Sequence, residues 1–305
     1  MRQHLLALDI TSSLVTFINV VINGQRDIGH IMASGTVSIP SGVVKNGVVL
    51  KPAVLGTDLK STLRQARIRT RDTVLAVQSS RLILRRLNLP PLALPQLRKM
   101  LFWELQRYTP YEPGTAEFDL LSLHLTQKNH TVLMAVAPKD IIDSQITALE
   151  LAGLRPRLLE PGIVSLFRWI QYRYNPRNNI IMLDLREEFT NILVAIGGQP
   201  FVVRTVQITL NQFNGKQRLI EEIVRSIDFV QPNNNDNLSW SCFYTGIAYD
   251  NNNLKHYLGQ SLRMDVQEVS VRQPPLGING TLFSSNLGLV LGWGRKGLCR
   301  QVSSL

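Results

Sequence analysis

One pattern of apolar and polar positions occurs twice in the chain. Residues 6–25 read LALDITSSLVTFINVVINGQ, and residues 181–200 read IMLDLREEFTNILVAIGGQP. In each copy an apolar strand reaches an aspartate, Asp9 or Asp184. A short polar turn, a second apolar strand and a glycine-containing turn follow, a sequence typical of a β-hairpin. The repeat predicts a duplicated domain in which each half places an aspartate at a hairpin tip, facing a shared cleft.

Strands and helices alternate over the rest of the chain, according to the spacing of the apolar residues. The glycine-containing turns of the two copies are expected at Asn23-Gly24 and Gly197-Gly198. The predicted helices are 52–67, 94–108, 139–151, 211–230, 254–262 and one beginning near 283. Besides the strands of the two hairpins, the predicted strands are 73–77, 81–89, 117–126, 130–137, 240–244 and 264–269. This alternation predicts the α/β fold class.

The composition indicates a folded protein of two compact units. The 305 residues are 44% apolar and 18% charged, which is enough for a full core and far from a disordered composition. Cys242 and Cys299 form no CxxC pair and no disulfide framework, which indicates a reducing compartment. No stretch is long and apolar enough to cross a bilayer, so we expect a cytoplasmic protein.

Positive charge is concentrated in the first part of the chain. The net charge is +11, and residues 1–115 carry 15 basic and six acidic side chains, a net +9. Such a field favours either nucleic acid or the anionic cytoplasmic leaflet, and a solvated basic face explains it equally well. Arg64 and Arg67 share a predicted helix face, and Arg69 and Arg71 follow in the connection. We expect these four to form a patch that orients the protein toward anionic lipid. No nucleic-acid-reading module is recognisable, so no direct nucleic-acid partner is expected.

Several segments together resemble a known family. They are LDITSSLVT (8–16), ELQRYTPYEPGTAEFDLL (104–121), LELAGLRP (149–156), EEIVRSIDF (221–229), VSVRQPPL (269–276) and LGLVLG (287–292). These segments, with the repeated hairpins, resemble the type IV pilus assembly protein PilM family of the actin-like ATPase superfamily, which includes the cell-division protein FtsA. The tail is similar to the enterobacterial HofM branch, which is linked to DNA uptake and competence.

The resemblance implies an actin-like duplicated two-lobe fold with a small inserted subdomain in the first lobe. The expected boundaries are 1–79 plus 157–175 for the first lobe, 80–156 for an inserted α+β subdomain, and 176–305 for the second lobe. The resemblance also implies a cytoplasmic protein, peripheral at the inner membrane of a Gram-negative bacterium. Its expected partner is the cytoplasmic N-terminal peptide of a bitopic, PilN-like membrane protein, gripped in a groove beside the insert. Self-association is a further expectation.

The resemblance also implies an ATP site in the cleft. Its candidate residues are Asp9, Thr11, Ser12, Ser13, Asp184, Glu221, Arg225 and Gly246. The two aspartates would hold Mg²⁺ through water, and the backbone N–H groups of 11–13 would cradle a phosphate. Glu221 and Arg225 would flank the ribose and adenine, and Gly246 belongs to the adenosine loop. Alternatively, the aspartates are turn formers and the helical pair is an ordinary surface pair.

Departures from the family pattern argue against turnover of ATP. Thr11 and Arg186 stand where glycine is usual, and Glu187 and Glu188 would repel a triphosphate. The adenosine loop keeps Gly246 but continues with a β-branched isoleucine. We therefore expect a scaffold with a degenerate ATP cleft and no catalytic residues. The alternatives are an active, FtsA-like ATPase or filament former, and a basic nucleic-acid-binding protein.

The predicted helix 94–108 carries a candidate partner anchor. Phe102 and Trp103 are adjacent, so they lie on neighbouring faces of the helix and one of them is expected to point away from its own core. An outward aromatic beside a groove suits a peptide partner. Packing against a neighbouring strand is the alternative for the same side chain.

Overall fold

The computed structural model describes residues 2–23, 30–231, 239–246, 251–273, 278–280, 282–293 and 300–301. Gly24, Ile247, Cys299 and part of the tail segment 269–276, on which expectations are stated above, lie outside these residues. No helix among the described residues is long and apolar enough to span a membrane.

A six-stranded sheet forms the centre of the first lobe. Its strands are β1 (Arg2–Ile10), β2 (Leu14–Asn23), β3 (His30–Ser38), β6 (Asp72–Val77), β10 (Arg155–Pro161) and β18 (Arg300–Gln301), in the order β18-β10-β6-β1-β2-β3. β1, β6 and β10 are parallel, while β2 and β3 extend the sheet as antiparallel hairpins. β1 is buried from Leu5 to Ile10, as expected for a strand covered on both faces by helices.

Helices cover both faces of this sheet. One face carries α1 (Pro52–Gln65) and α4 (Lys139–Leu151), and the other carries α5 (Gly162–Tyr174) and α8 (Ser284–Gly292). A short hairpin, β4 (Val44–Lys45) and β5 (Val48–Val49), precedes α1. α5 and α8 approach so closely that a Cβ at Gly288 would lie 1.8 Å from the carbonyl oxygen of Ser165, so only glycine fits there.

The second lobe repeats the arrangement. β11 (Asn179–Leu185), β12 (Thr190–Ile196), β13 (Gln199–Val206), β14 (Trp240–Gly246) and β15 (Asp265–Glu268) form a sheet in the order β13-β12-β11-β14-β15. α6 (Gly215–Val230) and α7 (Asn251–Leu262) pack against it. A small hairpin follows, formed by β16 (Val271–Gln273) and β17 (Ile278–Gly280). The repeated hairpins are confirmed by matching registers, with Asp9 opposite Thr16 and Asp184 opposite Asn191.

A separate small unit is inserted between β6 and α4. It contains β7 (Ile83–Leu89), α2 (Leu94–Trp103), α3 (Leu105–Tyr108), β8 (Ala116–Leu125) and β9 (His130–Pro138), with the strand order β7-β9-β8. Its own core includes Leu97, Leu101, Leu105 and Val132. The single helix expected over 94–108 is interrupted at Glu104, which separates α2 from α3.

The expected bounds of the insert and of the second lobe differ from the packing. α4 buries Ile141, Ile142 and Leu149 in the core of the first lobe, and β10 pairs with β6. The inserted unit is therefore 83–138, shorter than the expected 80–156. The expected second lobe, 176–305, also loses its end, because α8 packs on α5 and β1, and β18 pairs with β10.

Candidate functional site

The two aspartates of the repeat lie together at the bottom of the cleft between the lobes. Asp9 follows the apolar core of β1, and Asp184 occupies the matching place on β11. Their exposed fractions are 1% and 0%. Both carboxylates are thus withdrawn from water, where a charge is costly unless it is paired.

Arg186 pairs with both aspartates. Its Nε donates to Asp184 Oδ1 at 2.6 Å, and a terminal nitrogen donates to Asp9 Oδ2 at 3.2 Å and to Ser285 Oγ at 3.3 Å. Arg186 is itself only 7% exposed. Gln78 adds a donor to Asp9 Oδ2 at 3.3 Å. A guanidinium therefore takes the place between the two carboxylates that a cation was expected to occupy.

The pKa shifts follow from burial and from this pairing. Burial raises the pKa of Asp9, the nearby Arg186 charge opposes that rise, and Asp184 adds to it. Burial alone would lower the pKa of Arg186, but the two carboxylates more than offset this and raise it above its usual value. Arg186 is therefore a permanent cation at the centre of the cleft.

The first phosphate loop is closed by its own threonine. The Thr11 hydroxyl accepts hydrogen bonds from the amides of Leu14 at 3.1 Å and Ser13 at 3.4 Å, and it donates to the Leu14 carbonyl at 3.0 Å. Glycine at this position has no side chain, so the two amides would be able to donate hydrogen bonds to an anion. Here a side-chain oxygen satisfies two of the amides that a phosphate would need.

The second loop reaches across the cleft to the first lobe. The Glu187 carboxylate accepts hydrogen bonds from the hydroxyls of Ser12, at 2.7 Å, and Ser13. Glu188 accepts one from the amide of Asn46 at 2.9 Å. The two carboxylates that would repel a triphosphate thus join the lobes directly. We call the residues Asp9, Asp184, Arg186, Glu187 and Glu188, with their partners, the inter-lobe clasp.

A second feature is a groove between the insert and the first lobe. One section, of about 320 Å³, is lined by Val77, Leu82, Phe118 and Pro161, among others. An adjoining section of about 490 Å³ continues past Phe102 and Trp103. Arg98, Glu117 and Phe118 line both sections, which makes the groove continuous.

The groove runs beside an edge strand. β8 pairs with β9 on one side and is the last strand of its sheet among the described residues. Charged pairs stand along it, Arg98 with Asp119 and Lys139 with Glu117. Trp103 is 78% exposed at one end of the groove, and its ring meets that of Phe102 edge-on at 5.0 Å. The prediction of an outward aromatic on this helix is therefore confirmed.

A comparison with known protein families identifies the family of this chain. The family model described as type IV pilus assembly protein PilM matches residues 7–172, which is more than half of the chain. The chain belongs to the PilM family. The matched region contains most of the first lobe's hairpin, from residue 7 onward, the whole inserted unit and α4. No curated protein sequence gives a significant match.

Solved structures confirm the actin-like fold over nearly the whole chain. A PilM–PilN type IV pilus biogenesis complex matches with a TM-score of 0.80 and 21% identity, covering 95% of this chain and 98% of that chain. The cytoplasmic domain of EpsL, an inner-membrane component of the Vibrio cholerae type II secretion system, matches with a TM-score of 0.55 and 14% identity, covering 95% of each chain. A Bacteroides thetaiotaomicron protein with an actin-like ATPase fold and unknown function matches with a TM-score of 0.55 and 13% identity, covering 93% of this chain and 95% of that chain.

The residues of the cleft do not fit the Mg-ATP that the resemblance implies. Between Asp9, Asp184 and Arg186 the free space is about 10 Å³, and beside Glu187 and Glu188 it is about 20 Å³. Each space holds about one water molecule. The described residues also contain no group of three or more His, Cys, Asp or Glu side chains able to hold a metal ion. In this PilM-family chain, protein groups occupy the positions expected for the metal and for the phosphates.

The predicted site residues separate into two groups. Asp9, Thr11, Asp184 and Gly246 line one small cavity, and Ser12 and Ser13 join the clasp. Glu221 and Arg225 lie on the exposed face of α6. Arg225 pairs with Glu222 at 2.6 Å and Glu221 accepts a hydrogen bond from Gln217 at 3.4 Å, so the alternative of a direct Glu221–Arg225 surface pair is wrong.

Some cleft residues were not foreseen as site residues, among them Gln78, Ser285 and Asn286. Gln78 and Ser285 contact the central charges as described above, and they stand in segments without a recognisable motif. The third, Asn286, is fully buried, accepts a hydrogen bond from Thr16 Oγ1 at 2.8 Å and donates to the carbonyl of Ala7 at 3.0 Å. The only signal for it was a polar residue inside the apolar run near 283–292.

Proposed function

We propose that this PilM-family protein is a binding scaffold of a type IV pilus or related machine. It holds the cytoplasmic N-terminal segment of a PilN-like bitopic membrane protein in the groove between the insert and the first lobe. The groove beside β8, an edge strand among the described residues, carries this proposal. Through such a partner the protein would be cytoplasmic and peripheral at the inner membrane. A role in DNA uptake stays a prediction of the sequence resemblance.

The groove suits an extended segment with apolar anchors. β8 is an edge strand among the described residues, and such an edge is where another strand can add through backbone N–H and C=O groups. Phe118, Leu82 and Val77 supply apolar walls, and Trp103 offers a large exposed ring at one end. Main-chain pairing would give affinity, and pockets for alternate side chains would give specificity.

In this proposal the cleft works without nucleotide turnover. Arg186 and Glu187 connect the lobes with hydrogen bonds and ion pairs that need no bound nucleotide. The degenerate cleft would therefore hold the molecule in one arrangement, and hydrolysis is not part of its function. Self-association stays a prediction of the sequence resemblance.

A peptide-binding measurement tests the groove. The probe is a synthetic peptide of the cytoplasmic N-terminus of the PilN-like protein from the same organism, titrated by calorimetry. Trp103→Ala should weaken binding about 30-fold, the effect of losing an aromatic anchor that contributes about 2 kcal/mol. Phe213→Ala is the matched control, since Phe213 is 91% exposed and lies on the second lobe. Equal effects of the two substitutions, or no binding by the wild type, would contradict the proposed site.

A further inference from the structure

The end of the first lobe opposite the cleft is strongly basic. Two segments, residues 60–72 and 150–157, contribute seven cations and two carboxylates there, a net +5. The cations are Lys60, Arg64, Arg67, Arg69, Arg71, Arg155 and Arg157. We call these two segments the basic edge.

Topology brings the two segments together. α1 leads into β6 and α4 leads into β10, and these two strands are parallel neighbours with Arg155 opposite Asp72. The Arg155 amide donates to the Arg71 carbonyl at 2.8 Å. Asp72 pairs with both Arg155, at 3.2 Å, and Arg157, at 2.9 Å. The sequence alone predicted only the arginines at 64–71, because Arg155 follows Arg71 by 84 residues.

Four of these arginines are exposed and make no ion pair among the described residues. They are Arg64, Arg67, Arg69 and Arg71. Their charges therefore act on the solvent side rather than within the fold. Such a cluster raises the local concentration of an anionic surface.

Arg67 occupies a backbone position that favours glycine. Both helices end in the same motif: in α1 the amide of Ile68 donates to the carbonyl of Leu63 at 2.9 Å, and α4 makes the equivalent bond at 3.0 Å. In α4 the left-handed residue is Gly153, with φ of 79°. In α1 it is Arg67, with φ of 57°, a conformation that is unfavourable for a residue with a Cβ. The chain keeps an arginine where glycine would stabilise the fold.

We propose that the basic edge binds the anionic phospholipid surface of a membrane. The six arginines lie within three residues of the end of α1, the start of β6 or the start of β10, and Lys60 lies inside α1. They therefore present a broad surface rather than a helix that could enter a DNA groove. The two segments contain no Phe, Trp or Tyr on which the bases of a single strand could stack. Bilayer headgroups need neither feature, because they respond to the local density of charge.

The structure gives the distance between the basic edge and the groove. The basic edge lies at the start of β6 and the groove lies at its end, where Val77 is a lining residue. The six residues of β6 separate the two by about 20 Å. With the basic edge on the membrane, a partner peptide in the groove needs at least about six extended residues to reach the bilayer. This last step rests on the proposed partner.

Vesicle binding of the full chain tests the proposal. The probes are vesicles of phosphatidylcholine with and without phosphatidylglycerol, followed by co-sedimentation. Arg67→Gly should raise the melting temperature by about 2–4 °C and yet weaken binding to anionic vesicles about fivefold. Replacing Arg64, Arg67, Arg69 and Arg71 together with Ser should weaken it at least about a hundredfold. The matched control replaces four exposed cations elsewhere, Lys128, Arg177, Arg218 and Lys255, with Ser.

The outcomes separate the proposal from its alternatives. A lipid-binding edge is supported if vesicle binding fades at high salt, is lost when Arg64, Arg67, Arg69 and Arg71 are replaced, and is kept in the control variant. An equal loss of binding in the four-arginine variant and in the control variant overturns the proposal, since net charge alone would then explain binding. Tighter binding to duplex DNA than to anionic vesicles at equal salt overturns it in favour of a nucleic-acid surface. Failure of the peptide measurement leaves this test intact, because the vesicles contain no partner protein.

Discussion

Replacing Arg186 should destabilise the protein far more than replacing a surface arginine. In Arg186→Ala, the carboxylates of Asp9 and Asp184 stay buried in one cavity without their cation. Breaking a buried ion pair by removing one partner costs about 3–5 kcal/mol. For a chain of this size, that corresponds to a fall in melting temperature on the order of 10 °C.

The measurement is denaturant unfolding together with calorimetry, and one control variant and one titration with Mg²⁺ make it specific. Arg204→Ala is the matched control, because Arg204 is half-exposed and pairs loosely with Glu222 at 3.8 Å; its loss should be under about 1 kcal/mol. Millimolar Mg²⁺ should then raise the melting temperature of Arg186→Ala and leave the wild type unchanged. The reason is that carboxylate oxygens are the ligands that Mg²⁺ prefers, and only the variant offers them uncompensated.

Two results would refute this reasoning. If Arg186→Ala loses no more stability than Arg204→Ala, the guanidinium is not what balances the two aspartates. If the wild type binds Mg-ATP saturably, the clasp opens readily and the closed cleft does not describe the working protein. Ligand at a hundred times its dissociation constant stabilises a protein by about 2.7 kcal/mol, so such binding would be visible as a rise in melting temperature.

Two further predictions concern buried titratable groups. Because burial raises the pKa of Asp9, the folded state holds the carboxyl proton more tightly than the unfolded state. The free energy of unfolding of the wild type should therefore fall relative to that of Asp9→Asn as the pH rises from about 4 to 7. A relative rise, measured by denaturant titration, would contradict this prediction. Burial also raises the pKa of the Cys242 thiol to about 12. In a Cys299→Ser background, a disulfide reagent at about pH 8 should therefore label Cys242 only when the protein unfolds. Rapid labelling of the folded protein would contradict this prediction.

Much of the fold was predictable because its signals are local. The duplicated hairpins could be located from apolar runs that end at an aspartate, and α4 was predicted with its observed bounds, 139–151. The α/β class and the actin-like fold are confirmed by the solved neighbours. By contrast, the expected insert ended at 156 because sequence spacing does not show which core a helix joins, and Ile141 and Leu149 belong to the first lobe.

The chemistry of the cleft was only partly predictable. Thr11, Arg186 and the two glutamates were recognised as departures from a phosphate-binding pattern, and this was enough to question turnover. Their mutual contacts were not predictable, because Glu187 meets Ser12 across 175 residues of sequence and Arg186 meets Asp9 across 177. A sequence can show that glycine is missing, but only tertiary structure shows where the replacing side chain points.

The clasp and the groove are adjacent in the chain, and this suggests why a closed cleft suits a scaffold. Val77 lines the groove, and the next residue, Gln78, donates to Asp9 inside the clasp. On the far side of the insert, Arg86 donates to the Pro200 carbonyl at 3.2 Å and lies over the Phe201 ring at 4.7 Å, which ties β7 to the second lobe. Any opening of the lobes would therefore strain the insert and change the groove. A groove held in one shape costs a bound peptide less ordering of its receptor, which favours affinity. We infer that Arg186, by fixing the lobes without nucleotide, keeps the peptide groove preorganised.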